Sequence, residues 1–164
     1  MHKLHQIVLY LSLILAPISV INSQVMGIEL LEGKESIELN FDYSAGFILV
    51  KIRLNNFLPL NFIVDTGAEH VILFKKEIAD ILGLEFEKKI PLIGSDLDQE
   101  VSAFITRNVG ISLPNTKTVQ RDLIVLEENF LDLESLVGQS IDGILGSRFF
   151  RGLVMEIDYK KHRM

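Results

Sequence analysis

The chain has 164 residues, of which 48% are hydrophobic and 23% are charged, so it can bury a core within one domain and is not expected to be disordered. The formal net charge of −6 argues against a nucleic-acid-binding protein, because such proteins carry a basic surface. The absence of cysteine excludes disulfides, thiolate metal sites and cysteine nucleophiles.

The first 23 residues have the pattern of a secretory signal peptide. Lys3 gives a basic start, residues 7–21 carry no charge, and Ser23 is a small residue suited to cleavage. An uncleaved membrane anchor is the alternative, but the apolar run contains Pro17 and is shorter than the ~20 residues of a spanning helix. We therefore predict a signal peptide at residues 1–23, no stable membrane insertion after its removal, and an exported protein, periplasmic or extracellular.

The mature part, residues 24–164, is predicted to be a single all-β domain. Ile37, Leu39 and Phe41 alternate with polar residues, as in a half-buried strand. The strand at residues 60–64 is apolar except for Asn61, which indicates burial on both faces. The other predicted strands are residues 47–54, 86–92, 101–106, 118–126, 141–146 and 153–157.

Turns and helices interrupt these strands. Ala45-Gly46 and Asn55-Asn56 are predicted turns, and the segment 94–99 is a polar hairpin tip. A helix is predicted over residues 75–82, with Ile78, Ile81 and Leu82 on its buried face and Gly83 at its end. Residues 147–150 are predicted to form a short helical turn, and the segment around Asn129, Asp132 and Gly138 a loop.

Asp65-Thr66-Gly67 directly follows the most apolar strand. Gly67 permits a tight turn, and Thr66 offers a hydroxyl to nearby main chain. A carboxylate in this position suits an active site. For the bare tripeptide, however, an Asx turn in which Asp65 ties down its own loop is the commoner explanation.

The residues around the tripeptide favour the active-site interpretation. Residues 62–73 resemble the signature around the catalytic aspartate of aspartic peptidases, and Ala68 is similar to the retroviral type. The segment 142–146, followed by residues 147–150, resembles the family's second landmark, a pair of aliphatic residues and a glycine before a helix. This likeness to retropepsin-like aspartic peptidases of the single-lobe, exported bacterial type covers residues 36–159. It implies a closed-barrel-like acid protease lobe with one or two short helices.

The resemblance also implies a function, an aspartic endopeptidase in which two paired aspartates activate a water molecule without metal or cofactor. By that pattern Asp65 supplies the carboxylate, Thr66 links the two active-site loops, and Gly67 leaves room for the substrate. The residues expected to contact a peptide or protein substrate are Ala68, Ile144 and, on the flap, Gly94, Ser95 and Asp96. The flap departs from the family pattern, since its tip has one glycine and two acids.

A second catalytic aspartate is missing from the sequence. Asp142 lacks the Asp-Thr-Gly arrangement, and Asp158 is expected to be a turn residue. A homodimer in which each chain contributes Asp65 would complete the site. A two-lobe protein cut short is a second explanation, and a non-catalytic peptide-binding or assembly module with the same fold is the alternative function.

Other charged and aromatic residues are given structural interpretations. Glu69 and His70 are not expected to share a metal ion, because neighbours on a strand point to opposite faces. Lys75-Lys76 and Lys88-Lys89 are interpreted as solvated charges. Phe149-Phe150 is assigned to the core or to a dimer interface.

Overall fold

A computed structural model describes residues 27–57, 59–93, 100–129 and 131–164. The predicted signal peptide, residues 1–23, and the predicted flap tip, residues 94–99, lie outside them. The described strands are β1 (Asp42–Ser44), β2 (Phe47–Leu54), β3 (Leu60–Asp65), β4 (Val71–Leu73), β5 (Lys88–Ile93), β6 (Glu100–Ser112), β7 (Val119–Leu126) and β8 (Gly143–Gly146). The helices are α1 (Lys76–Ile81), α2 (Leu133–Val137) and a 3-10 helix (Ser147–Phe150).

The strands form one sheet in the order β1-β2-β3-β8-β4-β7-β6-β5. An additional pairing of β2 with β6 closes part of the sheet into a ring. The pairs β3–β8 and β4–β7 are parallel, whereas the other neighbours are antiparallel. The predicted all-β, closed-barrel-like lobe with one or two short helices is therefore confirmed.

Alternation along the strands produces two apolar clusters, one on each face of the sheet. In β3, Phe62 is fully buried in the larger cluster, and its neighbour Ile63, 3% exposed, is buried in the smaller one. The predicted burial of this strand on both faces is confirmed. Phe149 and Phe150 were expected in the core or at a dimer interface, and both are buried in the larger cluster of the core.

Several turns lie where the sequence predicts them, because few residue types adopt positive φ easily. Asn55 and Asn56 have φ of 46° and 60°, left-handed values that suit a tight turn, and the Phe57 N–H donates to the Leu54 carbonyl across them at 2.8 Å. Gly83 has φ of 64° directly after α1 and its C-cap. Between these two turns, β3 and β4 flank the Asp65 segment.

Three predicted elements differ in the structure. Strand β6 runs well beyond residue 106, through a register shift at which Asn108 has φ of 54°. The predicted loop after β7 contains α2. Ile81, assigned to the buried face of the first helix, is 71% exposed, because α1 turns Ala79 towards the core instead.

The predicted strands at the two ends of the domain are also altered. The alternation at Leu39 and Phe41 is correct, since both are buried, but their main chains pair with Met164 and His162 rather than extending β1. Residues 153–157 are not a strand, and Val154 is fully exposed. Apolar sequence alone does not make a strand without a neighbouring main chain to pair with.

Helices long and apolar enough to cross a membrane do not occur in the described part of the chain.

The different environments of Ile81 and Leu73 can be tested by equilibrium unfolding in urea. We expect Ile81→Ala to change the free energy of unfolding by less than about 0.5 kcal/mol, because this side chain is mostly solvated. Leu73→Ala should cost about 2–5 kcal/mol, because Leu73 is fully buried and its truncation leaves a cavity. Equal losses in the two variants would contradict the assigned orientation of α1.

Candidate active site

The position of Asp65 is set by the parallel pairing of β3 with β8. Asp65 lies opposite Gly146, and Ile63 lies opposite Ile144. A Cβ atom at residue 146 would overlap the carbonyl oxygen of His70, and one at residue 143 would overlap the main chain of β4 and the ring of Phe62. Both landmark glycines are therefore required by the close approach of neighbouring backbones.

The Asp65 carboxylate is fixed by its own turn. The Gly67 N–H donates to Asp65 Oδ1 at 2.8 Å, which is the hydrogen bond of an Asx turn. Asp65 is partly buried, whereas Thr66 and Gly67 are exposed. The Asx turn and the active-site interpretation are thus compatible, because the turn orients the carboxylate at the open end of the strand.

The 3-10 helix supports the outer side of this turn. The main-chain N–H and the hydroxyl of Ser147 both donate to the carbonyl oxygen of Ala68, at 2.8 and 3.0 Å. Arg148 donates its N–H to the Glu69 carbonyl at 3.2 Å, and its guanidinium forms an ion pair with the Glu69 carboxylate at 2.5 Å. The segment after the second landmark therefore holds residues 65–69 in place.

Asp65 lies on the face of the sheet that carries the smaller apolar cluster. Side chains alternate along a strand, so Asp65 shares a face with Ile63 while Phe62 and Val64 point to the opposite side. Several members of this cluster are only partly buried: Phe47, Ile72, Ile90, Leu92, Leu133 and Ile144. An apolar surface that is open in part therefore adjoins the carboxylate.

The residues predicted for the site have different outcomes. Asp65, Thr66, Gly67 and Ala68 form one turn, and strand pairing brings Ile144 to the same face. The flap residues predicted to bind substrate, Gly94, Ser95 and Asp96, lie outside the described residues. Their supporting arms are described, since β5 and β6 pair up to Ile93 opposite Glu100.

A polar cluster around Lys75 was missed by the sequence interpretation, which treated this lysine as a solvated charge. The Lys75 ammonium lies 2.7 Å from Glu134 Oε1, 3.1 Å from Asp142 Oδ1 and 2.7 Å from the Ser140 hydroxyl. Asp142 is 7% exposed, and its Oδ2 accepts the Asn61 N–H at 2.8 Å. The sequence contained an indication of this cluster. Asp142 begins the otherwise apolar segment 142–146, and a buried acid needs a cationic or hydrogen-bonding partner.

Lys75 and Glu134 in this cluster alter each other's pKa. Burial alone would lower the pKa of Lys75, but its hydrogen bonds to Glu134 and Asp142 outweigh this effect and raise the pKa above its ordinary value. The hydrogen bond from Lys75 lowers the pKa of Glu134, assisted by the Ile141 N–H. Both shifts favour the charged forms of Lys75 and Glu134.

Two expectations about other polar residues can be compared with the structure. Asp158 is a turn residue as predicted, since its Oδ1 accepts the N–H groups of Lys160 and Lys161 at 3.0 and 3.1 Å.

The expectation that the side chains of Glu69 and His70 point to opposite faces of one strand is wrong. They lie between strands rather than on one, and His70 Nε2 is 3.8 Å from Glu69 Oε2. Across the described ranges, no three His, Asp or Glu side chains are grouped to hold a metal ion.

Comparisons with known proteins agree with this fold and turn. A family model for aspartyl proteases matches residues 50–149, which include Asp65 and the Gly143–Gly146 landmark. The chain therefore belongs to the aspartyl protease family. A search of curated proteins found no match.

Solved structures of other proteins are similar to this chain. A retropepsin-like aspartic protease from Rickettsia conorii is similar at a TM-score of 0.52 and 22% identity, over 76% of this chain and 93% of that one. EIAV protease in complex with the inhibitor HBY-793 aligns at a TM-score of 0.40 and 21% identity, over 60% of this chain and 79% of that one. At such identities the first match shows the fold.

The depressed pKa values of Glu134 and Asp158 predict an acid-sensitive fold. The Lys75 hydrogen bond lowers the pKa of Glu134, and the Lys161 N–H lowers that of Asp158, so the unfolded chain binds more protons at acid pH. Their stabilisation is present above the unfolded pKa values and is lost as pH falls through the lower folded ones. We expect the Tm, measured by circular dichroism, to fall from about pH 5 to about pH 2.

Glu134→Gln provides the control for this pH dependence. This variant should have a lower Tm near neutral pH and a shallower fall on acidification, because one of the two protonation events is removed. An unchanged acid dependence in Glu134→Gln would contradict the assigned role of the Lys75–Glu134 ion pair.

Proposed function

We propose that this protein is an aspartic endopeptidase that hydrolyses peptide bonds with a water molecule held between two Asp65 carboxylates. The observation that carries the proposal is the Asp65 turn. Its carboxylate is oriented by the Gly67 N–H, stands at the open end of β3 and adjoins a partly open apolar surface. Membership of the aspartyl protease family supports the same activity.

The proposed chemistry needs two carboxylates at close range. Like charges so close cannot both ionise cheaply, so the pair shares one proton and titrates as a unit. One carboxylate takes a proton from the water as it attacks, and the other donates a proton to the scissile carbonyl oxygen. The C–N bond of the tetrahedral intermediate then breaks as the leaving amine takes the proton that the first carboxylate received from water, so no covalent bond forms between substrate and enzyme.

We propose that a homodimer supplies the second Asp65. The sequence contains a single Asp-Thr-Gly, and Thr66 is exposed on the turn, accessible to the equivalent loop of another copy. A two-fold axis beside this turn would bring the two carboxylates together.

Residues 153–157 are a suitable contact for such a dimer. Within the described parts of the chain, the main-chain groups of residues 154–157 make no hydrogen bond, and Val154 is fully exposed. This segment borders a groove of about 670 Å³ that is also lined by residues 34 and 36–39. An extended segment from a second copy would satisfy the free main-chain groups and cover the apolar side chains.

The proposed substrates are extended peptide segments with apolar side chains beside the scissile bond. The partly open cluster around Ile144, Ile72 and Phe47 is the surface such side chains would contact. The paired strands β5 and β6 would support the proposed flap, which would cover a bound strand in the manner of a lid. The signal-like N-terminal segment supports action outside the cytoplasm, in the periplasm or the extracellular space.

Asp65→Asn tests the catalytic assignment. We expect cleavage of an unstructured protein, followed by gel or mass spectrometry at acid and neutral pH, to fall by roughly a thousandfold or more, because an amide cannot act as the base. Full activity in Asp65→Asn would refute the assignment. If neither the wild type nor the variant cleaves although both bind peptide, the chain is the non-catalytic peptide-binding module instead.

Val154→Glu tests the dimer contact. This side chain is fully exposed in one chain, so the substitution should leave the free energy of unfolding of the monomer within about 0.5 kcal/mol. We expect the dimer dissociation constant, measured by analytical ultracentrifugation, to rise about tenfold or more, since a charge would be buried in the contact. Ile81→Glu, at another exposed apolar residue, is the matched control. A dimer unaffected by Val154→Glu would place the contact elsewhere.

A further inference from the structure

Helix α2 lies outside the sheet and packs on the face that carries Asp65. Val137 at its end and Ile141 just beyond it are 7% and 0% exposed, in the same cluster as Ile63 and Leu49. Leu133, at the start of α2, is only partly buried against this cluster. The helix therefore covers part of the apolar surface, and Ile144 in the same cluster is only partly buried.

The main chain contributes little to holding α2 in this position. The helix has five residues, and no side chain caps its N-terminus. Instead, one oxygen of Glu134 accepts three donors: Lys75 Nζ at 2.7 Å, the Ser140 hydroxyl at 3.1 Å and the Ile141 N–H at 3.2 Å. At the other end of α2, the Ser44 hydroxyl donates to the Val137 carbonyl at 2.9 Å.

Lys75 connects α2 to the strands that form the candidate site. Its ammonium also bonds Asp142, whose Oδ2 accepts the Asn61 N–H at the start of β3. The Asp142 N–H donates to the Asn61 carbonyl, and the Asp142 carbonyl accepts the Phe74 N–H, both at 2.8 Å. One cation thus fixes the position of α2 relative to β3 and β8, which carry Asp65 and Ile144.

We propose that α2 is one wall of the peptide-binding groove, and that the ion-pair cluster of Lys75, Glu134 and Asp142 sets the size of the apolar side chain accepted there. Leu133 is the side chain on this wall that a bound peptide would meet. The inference rests on the proposed function, since it names the determinant of substrate choice at the same site. Glu134 is a positioning residue, because it acts through α2 and has no contact with Asp65 among the described residues.

Glu134 is the member of the cluster whose removal affects α2 most directly. Removing Asp142 would also release the Asn61 N–H and disturb the β3–β8 pairing. Removing Lys75 would leave two carboxylates together without their cation, which destabilises the site by repulsion. Glu134→Ala releases α2 while keeping the Lys75–Asp142 ion pair, and Glu134→Gln keeps the shape but removes the charge.

Peptide binding in an Asp65→Asn background tests the proposal without depending on catalysis. The probes are fluorescently labelled extended peptides that differ only in a central Val, Leu or Phe, and their Kd values are measured by anisotropy. Glu134→Ala and Glu134→Gln are each introduced into this background. Asp80→Asn is the matched control, because Asp80 forms an ion pair of similar length with Lys76, at 2.8 Å on α1. Thermal unfolding of every variant is recorded in parallel.

We expect Glu134→Ala to change the ratio of the Kd values for the Val and Phe peptides by about fivefold or more, since a pocket wall that moves alters discrimination by side-chain size. Glu134→Gln should give a smaller change in the same direction, and Asp80→Asn none. An unchanged ratio in Glu134→Ala, even with a lower Tm, would overturn the proposal, as would the absence of peptide binding by the Asp65→Asn protein. A changed ratio together with a wild type that never cleaves would refute the peptidase activity and leave the role of α2 intact.

Discussion

The parallel pairing of β3 with β8 is the constraint on which the rest of the site depends. Only four residues of each strand are paired, yet they place Asp65 beside Gly146 and Ile63 beside Ile144. On the other side of β8, the main chains of β4 and of residues 69–70 approach so closely that residues 143 and 146 have no space for a side chain. Because Gly146 then leads directly into the 3-10 helix, the same pairing delivers Ser147 and Arg148 to the outer side of the Asp65 turn.

The two acids nearest to this pairing have opposite roles. Asp142 is buried, and its charge is balanced by Lys75 and satisfied by the Asn61 N–H, as a buried carboxylate requires. Asp65 is oriented by a single turn hydrogen bond and remains accessible. Asp142 therefore has a structural role. This supports the proposal that a second catalytic carboxylate comes from another copy of the chain.

The two ends of the domain show how main-chain pairing, rather than apolar sequence, decides which segments become strands. Leu39 and Phe41 bury their side chains and exchange hydrogen bonds with the last residues of the chain. The equally apolar segment 153–157 has no such neighbour in the described residues and leaves Val154 in solvent. Within the proposed function, a second copy of the chain would pair with this open segment and would also supply the second carboxylate of the site.

The sequence by itself determined the features that depend on local geometry: the strand alternation, the positive-φ turns at Asn55 and Asn56, and the Asp65 turn with its glycine. These follow from the preferences of residues close together in the chain. Tertiary structure alone decided the partners of Lys75, the helix α2 within a predicted loop and the exposure of Ile81. Each depends on a contact between distant segments, such as Lys75 with Glu134 and Asp142, and periodicity contains no information about which distant charges meet.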